Sequence, residues 1–211
     1  MTRVYLEVGK RRVFASAADW PGWTRAGKDE KSALEALAAA APKYAAAARA
    51  ARIPFAPTSK FDVVERLPGD ATTEFGAPGA IAKAESKRLT KKEAGRLSAL
   101  VAASWTVLDK VVEGAPTSLR KGPRGGGRDR DKIVEHVLGA ETMYARKLGL
   151  RLQQPAGGDV AAVREFRNAI VAGLRAGTKG VTERGWPARY AARRMAWHVL
   201  DHAWEIEDRS D

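Results

Sequence analysis

Histidine is scarce in this chain, three in 211 residues, yet His198 and His202 stand four apart in "MAWHVLDHAWEIEDR" near its end. A helix advances about 100° per residue, so positions four apart leave one face within about 40° of each other. The pair can offer two imidazole nitrogens to a single ion at about 2.0–2.1 Å. The third histidine, His136, sits in "IVEHVLGAETMY", three residues after Ile133 and one before Val137, at the border of an inward stripe. Alone, such a residue is more often a satisfied boundary histidine than a ligand. Together, the three fall on or near the inward faces of two helices, where bundle metal sites are built from facing side chains.

Three imidazoles leave at least one position of a divalent ion to water, the pattern of catalytic rather than structural zinc. Zinc and nickel both suit imidazole, and availability decides between them. The chain has no cysteine, which removes disulfides, thiol nucleophiles and thiolate ligands. Asp201 and Glu205 each follow a histidine by three residues and are the candidates to orient an imidazole N–H or act as a base. Carboxylates at a helix end are also commonly a solvated face. Trp197, Trp204 and Tyr144 read as core or pocket wall.

The elements that must position these residues are helical. "TKKE" at 90–93 is a capping box, and behind it Leu97, Leu100, Val101, Trp105, Leu108, Val111 and Val112 share one face. A second helix is expected over about 129–149, with Ile133, Val137, Leu138, Tyr144 and Leu148 inward and Gly149 as its stop. Asp159 caps a third, carrying Val163, Phe166, Ile170 and Leu174, and Pro187 opens a fourth that runs to about Arg209. Four amphipathic helices without intervening strands predict a four-helix bundle over 84–211.

Ahead of them, "RVYLEV" and "RRVFASA" alternate as two strands joined at "GK", where Gly9 is expected to supply a left-handed turn. "WTRA" predicts a short third strand, Asp29 a helix cap, Pro42 a break in the Ala-rich helix, and "KFDVVERL" a further strand. The expected fold is thus a small α+β module over 1–68, a linker over 69–83 rich in Gly, Ala, Thr and Pro, and the bundle.

"KIVEHVLGAETMYARKLG" and "MAWHVLDHAWEIEDR" resemble the second-helix and last-helix motifs of the DinB/YfiT-like four-helix bundles, over about residues 85–211. The resemblance is carried by His136, His198 and His202. It implies one divalent metal and an enzyme related to thiol-dependent transferases and isomerases, or a hydrolase, possessing a low-molecular-weight thiol as a second cofactor. The "AWEIEDR" tail departs from the small polar tail of many relatives, which puts the substrate pocket in doubt. The N-terminal "VYLEVGKRRVFASAADWPGWTRAGKDEKSALEAL" is similar to the HicB-like antitoxin fold, through Pro21, Gly22, Gly27 and the helix after Asp29. "WPGW" can equally serve to pack strands on the helix.

The net charge of +12 raises nucleic acid as a partner. Residues 1–80 hold 12 basic and 9 acidic groups and residues 81–211 hold 25 and 16, so the excess lies in the second part. It gathers in "AKAESKRLTKK" and "SLRKGPRGGGRDRDK". The glycine-rich stretch lacks the Gly-Lys-Ser/Thr ending of a phosphate loop and reads as a mobile basic loop. No aromatic interrupts Arg120, Lys121, Arg124, Arg128 and Arg130 to stack on bases, so any nucleic-acid binding is expected to be weak and non-specific. No apolar run spans a bilayer and the start lacks an apolar signal core, which predicts a cytoplasmic, non-membrane protein. A small-molecule substrate and a homodimer are the expected partners. The rival reading is a basic nucleic-acid- or protein-binding regulator, related to HicB-type antitoxins, in which the bundle is only structural.

Overall fold

The computed structural model describes residues 1–58, 60–122, 126–177 and 185–210. Strands β1 (Thr2–Val8), β2 (Val13–Ala17) and β3 (Thr24–Gly27) form an antiparallel meander. Helices α1 (Glu30–Ala39) and α2 (Ala41–Ala50) then carry the chain across to β4 (Phe61–Pro68), which pairs parallel to β1 and gives the sheet order β3-β2-β1-β4. Asp29 caps α1 in a reciprocal box with Ser32, and Pro42 sits in the first turn of α2, where its missing N–H costs nothing.

Gly9 corrects one expectation: it is not among the positive-φ glycines. A side chain there would collide with the Glu74 carboxylate and with the Arg12 carbonyl. The turn needs glycine for space, because Glu74 Oε1 accepts from the Lys10 and Arg11 amides at 2.6 and 3.2 Å.

Residues 69–83, expected to be a linker, are packed. Helix α3 (Ala71–Phe75) and a 3-10 turn at Lys83–Ser86 lie here, with Thr73, Ala77 and Ala82 buried. The acids of this region explain the order. Glu7, buried on β1, accepts from Thr73 Oγ1 and from the Gly79 and Ala80 amides at 2.9 Å. Glu85 and Arg193 form a buried ion pair at 2.6 Å, and Tyr190 donates to the Gly79 carbonyl at 2.9 Å.

Helices α4 (Lys91–Gly114), α5 (Arg130–Lys147), α6 (Val160–Ala176) and α7 (Ala188–Arg209) follow. Thr90 and Glu93 cap α4 reciprocally, and Asp159 caps α6. The four share a core of Val101, Trp105, Leu108, Ile133, Val137, Phe166, Ile170, Met195 and Val199. The layout is therefore α+β: a four-stranded mixed sheet with its helices, then four long helices.

The position of α7 organises everything. Fifteen of its 22 residues are buried, too many for a surface helix with one apolar stripe. One side joins the core with α4, α5 and α6, and another joins the sheet. Leu200 and Trp204 belong to the cluster formed by Val4, Leu6, Val13, Trp23, Leu37 and Tyr44, while Trp197 meets Phe14 of β2 edge-on at 6.1 Å. Strand β2 is buried at every position: Val13, Ala15 and Ala17 belong to the cluster shared with α1, Leu200 and Trp204, and Phe14 packs on Trp197. Gly22, at φ +93°, lies so close to α7 that a Cβ would stand 2.7 Å from Leu200 and 3.1 Å from Ala196. The "WPGW" turn packs Trp23 on Tyr44, its indole donating to the Leu37 carbonyl at 2.8 Å.

Candidate metal centre

His136 comes from α5 and His198 and His202 from α7, two helices in direct contact. The four-residue spacing on α7 brings its two imidazoles together edge-on, with centroids 4.6 Å apart. His136 faces both, with ring centroids at 5.1 Å from His198 and 4.9 Å from His202. One ligand nitrogen from each ring lies within 4.8 Å of the other two. The Nε2 atoms of His136 and His198 are 3.3 Å apart. Two nitrogens bound tetrahedrally at about 2.0–2.1 Å stand about 3.3–3.4 Å from each other, so that edge already has the required length.

Burial, before anything else, pushes the His198 imidazole well below its ordinary value, and the charges of His202, His136, Arg194 and Arg128 act the same way. His136 is lowered by burial first, then by His202 and Arg128. Both rings are therefore neutral near pH 7, the state a metal ligand needs. His202 Nδ1 lies 2.7 Å from Glu205 Oε2. The hydrogen bond to His202 is also the main reason the Glu205 carboxyl is held below its usual range. An ionised carboxylate only accepts, so Nδ1 carries a proton toward Glu205 and Nε2 is the ring atom turned away from it. Arg209 fixes the other Glu205 oxygen at 2.7 Å.

Asp201 does something else: it pairs with Arg25 of β3 at 3.1 Å, and that guanidinium lies 4.0 Å over Trp204. Burial pushes the Asp201 carboxyl up, opposed by Arg25. It anchors the sheet to α7. The His198 Nδ1, on the far side of the ring from His136, is buried without a hydrogen-bond partner among the described residues. Trp197 and Tyr144 line the site, at 6.1 and 5.8 Å from the His198 ring.

A cavity of about 440 Å³ opens at His136, bounded by Gly139, Thr142, Met143, Arg146 and Gln154. It adjoins a broader groove along Leu150–Gln154 that shares Thr142, Arg146 and Gln154. The basic segment beside the centre is largely tied down. Arg120 donates to the Asp208 carbonyl at 2.7 Å, Arg209 donates to the Arg120 carbonyl at 2.8 Å, Lys121 pairs with Asp129, and Arg130 donates to the Ala115 carbonyl at 2.8 Å. Arg124 lies outside the described residues.

Sequence reasoning missed Arg193, Arg194 and Arg25. The signal was present in "AARRMAWH", two adjacent arginines inside an otherwise apolar run. The arrangement defines a helix-borne three-histidine centre with a carboxylate supporting one imidazole. No protein-family model, curated protein or solved structure matches the chain. Among the described residues no helix is long and apolar enough to cross a membrane.

Proposed function

We propose that the chain binds one divalent metal, zinc or nickel, through His136, His198 and His202 and is a metal-dependent enzyme acting on a small molecule. On this reading α4 to α7 are a DinB-like four-helix bundle, the N-terminal part is a HicB-like module, and the reaction is a thiol-dependent transfer or isomerisation, or a hydrolysis. The observation that carries it is the 3.3 Å approach of the buried His198 nitrogen to that of half-buried His136, with the His202 ring close to both. Three imidazole nitrogen donors match the chemistry of either ion.

When bound, such an ion would supply Lewis acidity at its open position, lowering the pKa of a water or thiol there. The chain's own residues do the rest. Glu205 holds the His202 tautomer, and Arg209 holds Glu205. Tyr144 and Trp197 wall off water around His198. Glu205 is committed to two partners and Asp201 to Arg25, which makes both positioning residues rather than free bases.

Elemental analysis of protein purified without added metal tests the reading, with about one equivalent of zinc or nickel expected for a single site. His202→Ala is expected to lower the content sharply, and full occupancy in that variant would sink the triad. The regulator reading is weakened by the internal bonding of Arg120, Lys121 and Arg130.

A further inference from the structure

Among the described residues, four arginines carry a buried guanidinium nitrogen with no hydrogen-bond partner: Arg167, Arg189, Arg194 and Arg209. Three of them are still neutralised, Arg167 by Asp109 at 2.8 Å, Arg189 by Glu93 at 2.6 Å and Arg209 by Glu205 at 2.7 Å. Arg194 has no carboxylate partner among the described residues, although it is only 8% exposed. Its neighbour Arg193 is fully engaged with Glu85.

Arginine cannot escape burial by losing its proton, as a carboxylate can. What surrounds Arg194 is aromatic: its guanidinium carbon lies 4.7 Å from the Trp197 ring centroid and 5.7 Å from that of Tyr144. Cation–π contact with two rings offsets part of the desolvation, but supplies no carboxylate to match the charge. The same Tyr144 and Trp197 flank His198. Arg194, His198 and His202 follow one another at four-residue intervals, so their Cα atoms succeed one another at about 6 Å along one face of α7.

We propose that Arg194 is the anion-recognition residue of the metal centre, receiving the carboxylate of a small organic acid whose other end reaches the histidine triad. This rests on the triad reading for the second contact and on the unmatched guanidinium for the first. A carboxylate is favoured over a phosphate because a single guanidinium matches a single negative charge, and the adjacent buried cation is already neutralised. The two aromatic rings would flank an apolar or planar body beside that carboxylate.

Calorimetric titration of the full chain with benzoate, and in parallel with inorganic phosphate, tests this in both the metal-free and the zinc-loaded protein. Benzoate is expected to bind the metal-free chain more tightly than phosphate. Arg194→Met should weaken benzoate roughly thirtyfold or more, with metal content unchanged and the thermal midpoint of the ligand-free protein equal or higher, since an unmatched charge has been removed. Should Arg194→Met fail to fold, Arg194→Lys keeps the charge without the planar fork, and an affinity between the wild-type and background values would support the assignment.

Benzoate affinity unchanged in Arg194→Met, no benzoate binding by the wild type, or a preference for phosphate would each overturn it. His202→Ala separates the two readings. Loss of metal with benzoate binding retained leaves the Arg194 site standing without the triad. Loss of benzoate binding in that variant, with Arg194→Met still binding, places the carboxylate on the metal and refutes the role of Arg194.

Discussion

Glu141 offers the most quantitative test of the core. It projects from α5 into the space among the long helices, is fully buried, accepts a hydrogen bond from the Trp105 indole through one oxygen, and has no partner for the other among the described residues. Burial raises its carboxyl from 4.5 to about 7, with Arg167 and the Trp105 bond acting against it. Between those two pH values the folded chain keeps the proton and the unfolded chain has lost it. Unfolding there releases a proton, and stability falls as pH rises. A separation of about 2.5 units at about 1.4 kcal/mol per unit makes the loss about 3 kcal/mol, complete above about pH 7.

Glu141→Gln removes the titration while keeping the shape and an oxygen for Trp105. Urea midpoints measured from pH 4 to pH 8 should show the two proteins within about 1 kcal/mol at the acid end, where both side chains are neutral. The variant should be more stable by about 3 kcal/mol at pH 8, where only the wild type holds a buried charge. Parallel curves for the two proteins, or a glutamine variant that is less stable at pH 8, would refute the argument that this carboxyl is an uncompensated buried acid.

Glu205→Gln should lower zinc affinity about 10- to 100-fold by weakening the support of His202, measured by competition with a chromophoric chelator; affinity within twofold of wild type would remove Glu205 from the site. Trp204→Ala should cost about 3–5 kcal/mol, because Trp204 is shared by α7 and the sheet core; a loss below about 1 kcal/mol would mean the two parts are held elsewhere. Residues 85–211 expressed alone should be helical but melt below the full chain, since Leu200 and Trp204 lose their cover, and an equal thermal midpoint would show that the contact contributes nothing. Binding to duplex DNA or RNA should be weak and fade between low and near-physiological salt, with sub-micromolar, sequence-selective binding at the higher salt as the contrary result.

Much of the secondary structure was legible because it depends on local chemistry. The caps Asp29, Thr90 and Asp159, the break at Pro42 and the strand at Phe61–Pro68 all lie where turn, cap and period signals put them. The packed state of 69–83 was not legible, because Gly, Ala, Thr and Pro in a short run look alike whether they bridge two bodies or fill a seam. There the deciding partners, Glu7 and Arg193, lie far away in sequence. Gly9 was misread for a related reason: its constraint comes from Glu74, not from its own φ.

For the candidate site, the sequence alone determined which residue types are available and that His198 and His202 share a face, since helical periodicity fixes that for any four-residue spacing. It also excluded thiolate ligation, as the chain has no cysteine. Tertiary structure decided the rest: that α5 brings His136 to 3.3 Å from His198, that Glu205 supports His202 while Asp201 turns to Arg25, and that Arg194 is buried without a carboxylate partner among the described residues. Each depends on which of several nearly equivalent faces α7 gives to α5 and which to the sheet. That choice is made by the summed burial of Trp197, Leu200, Trp204 and their distant neighbours, a non-local quantity that no window of sequence contains.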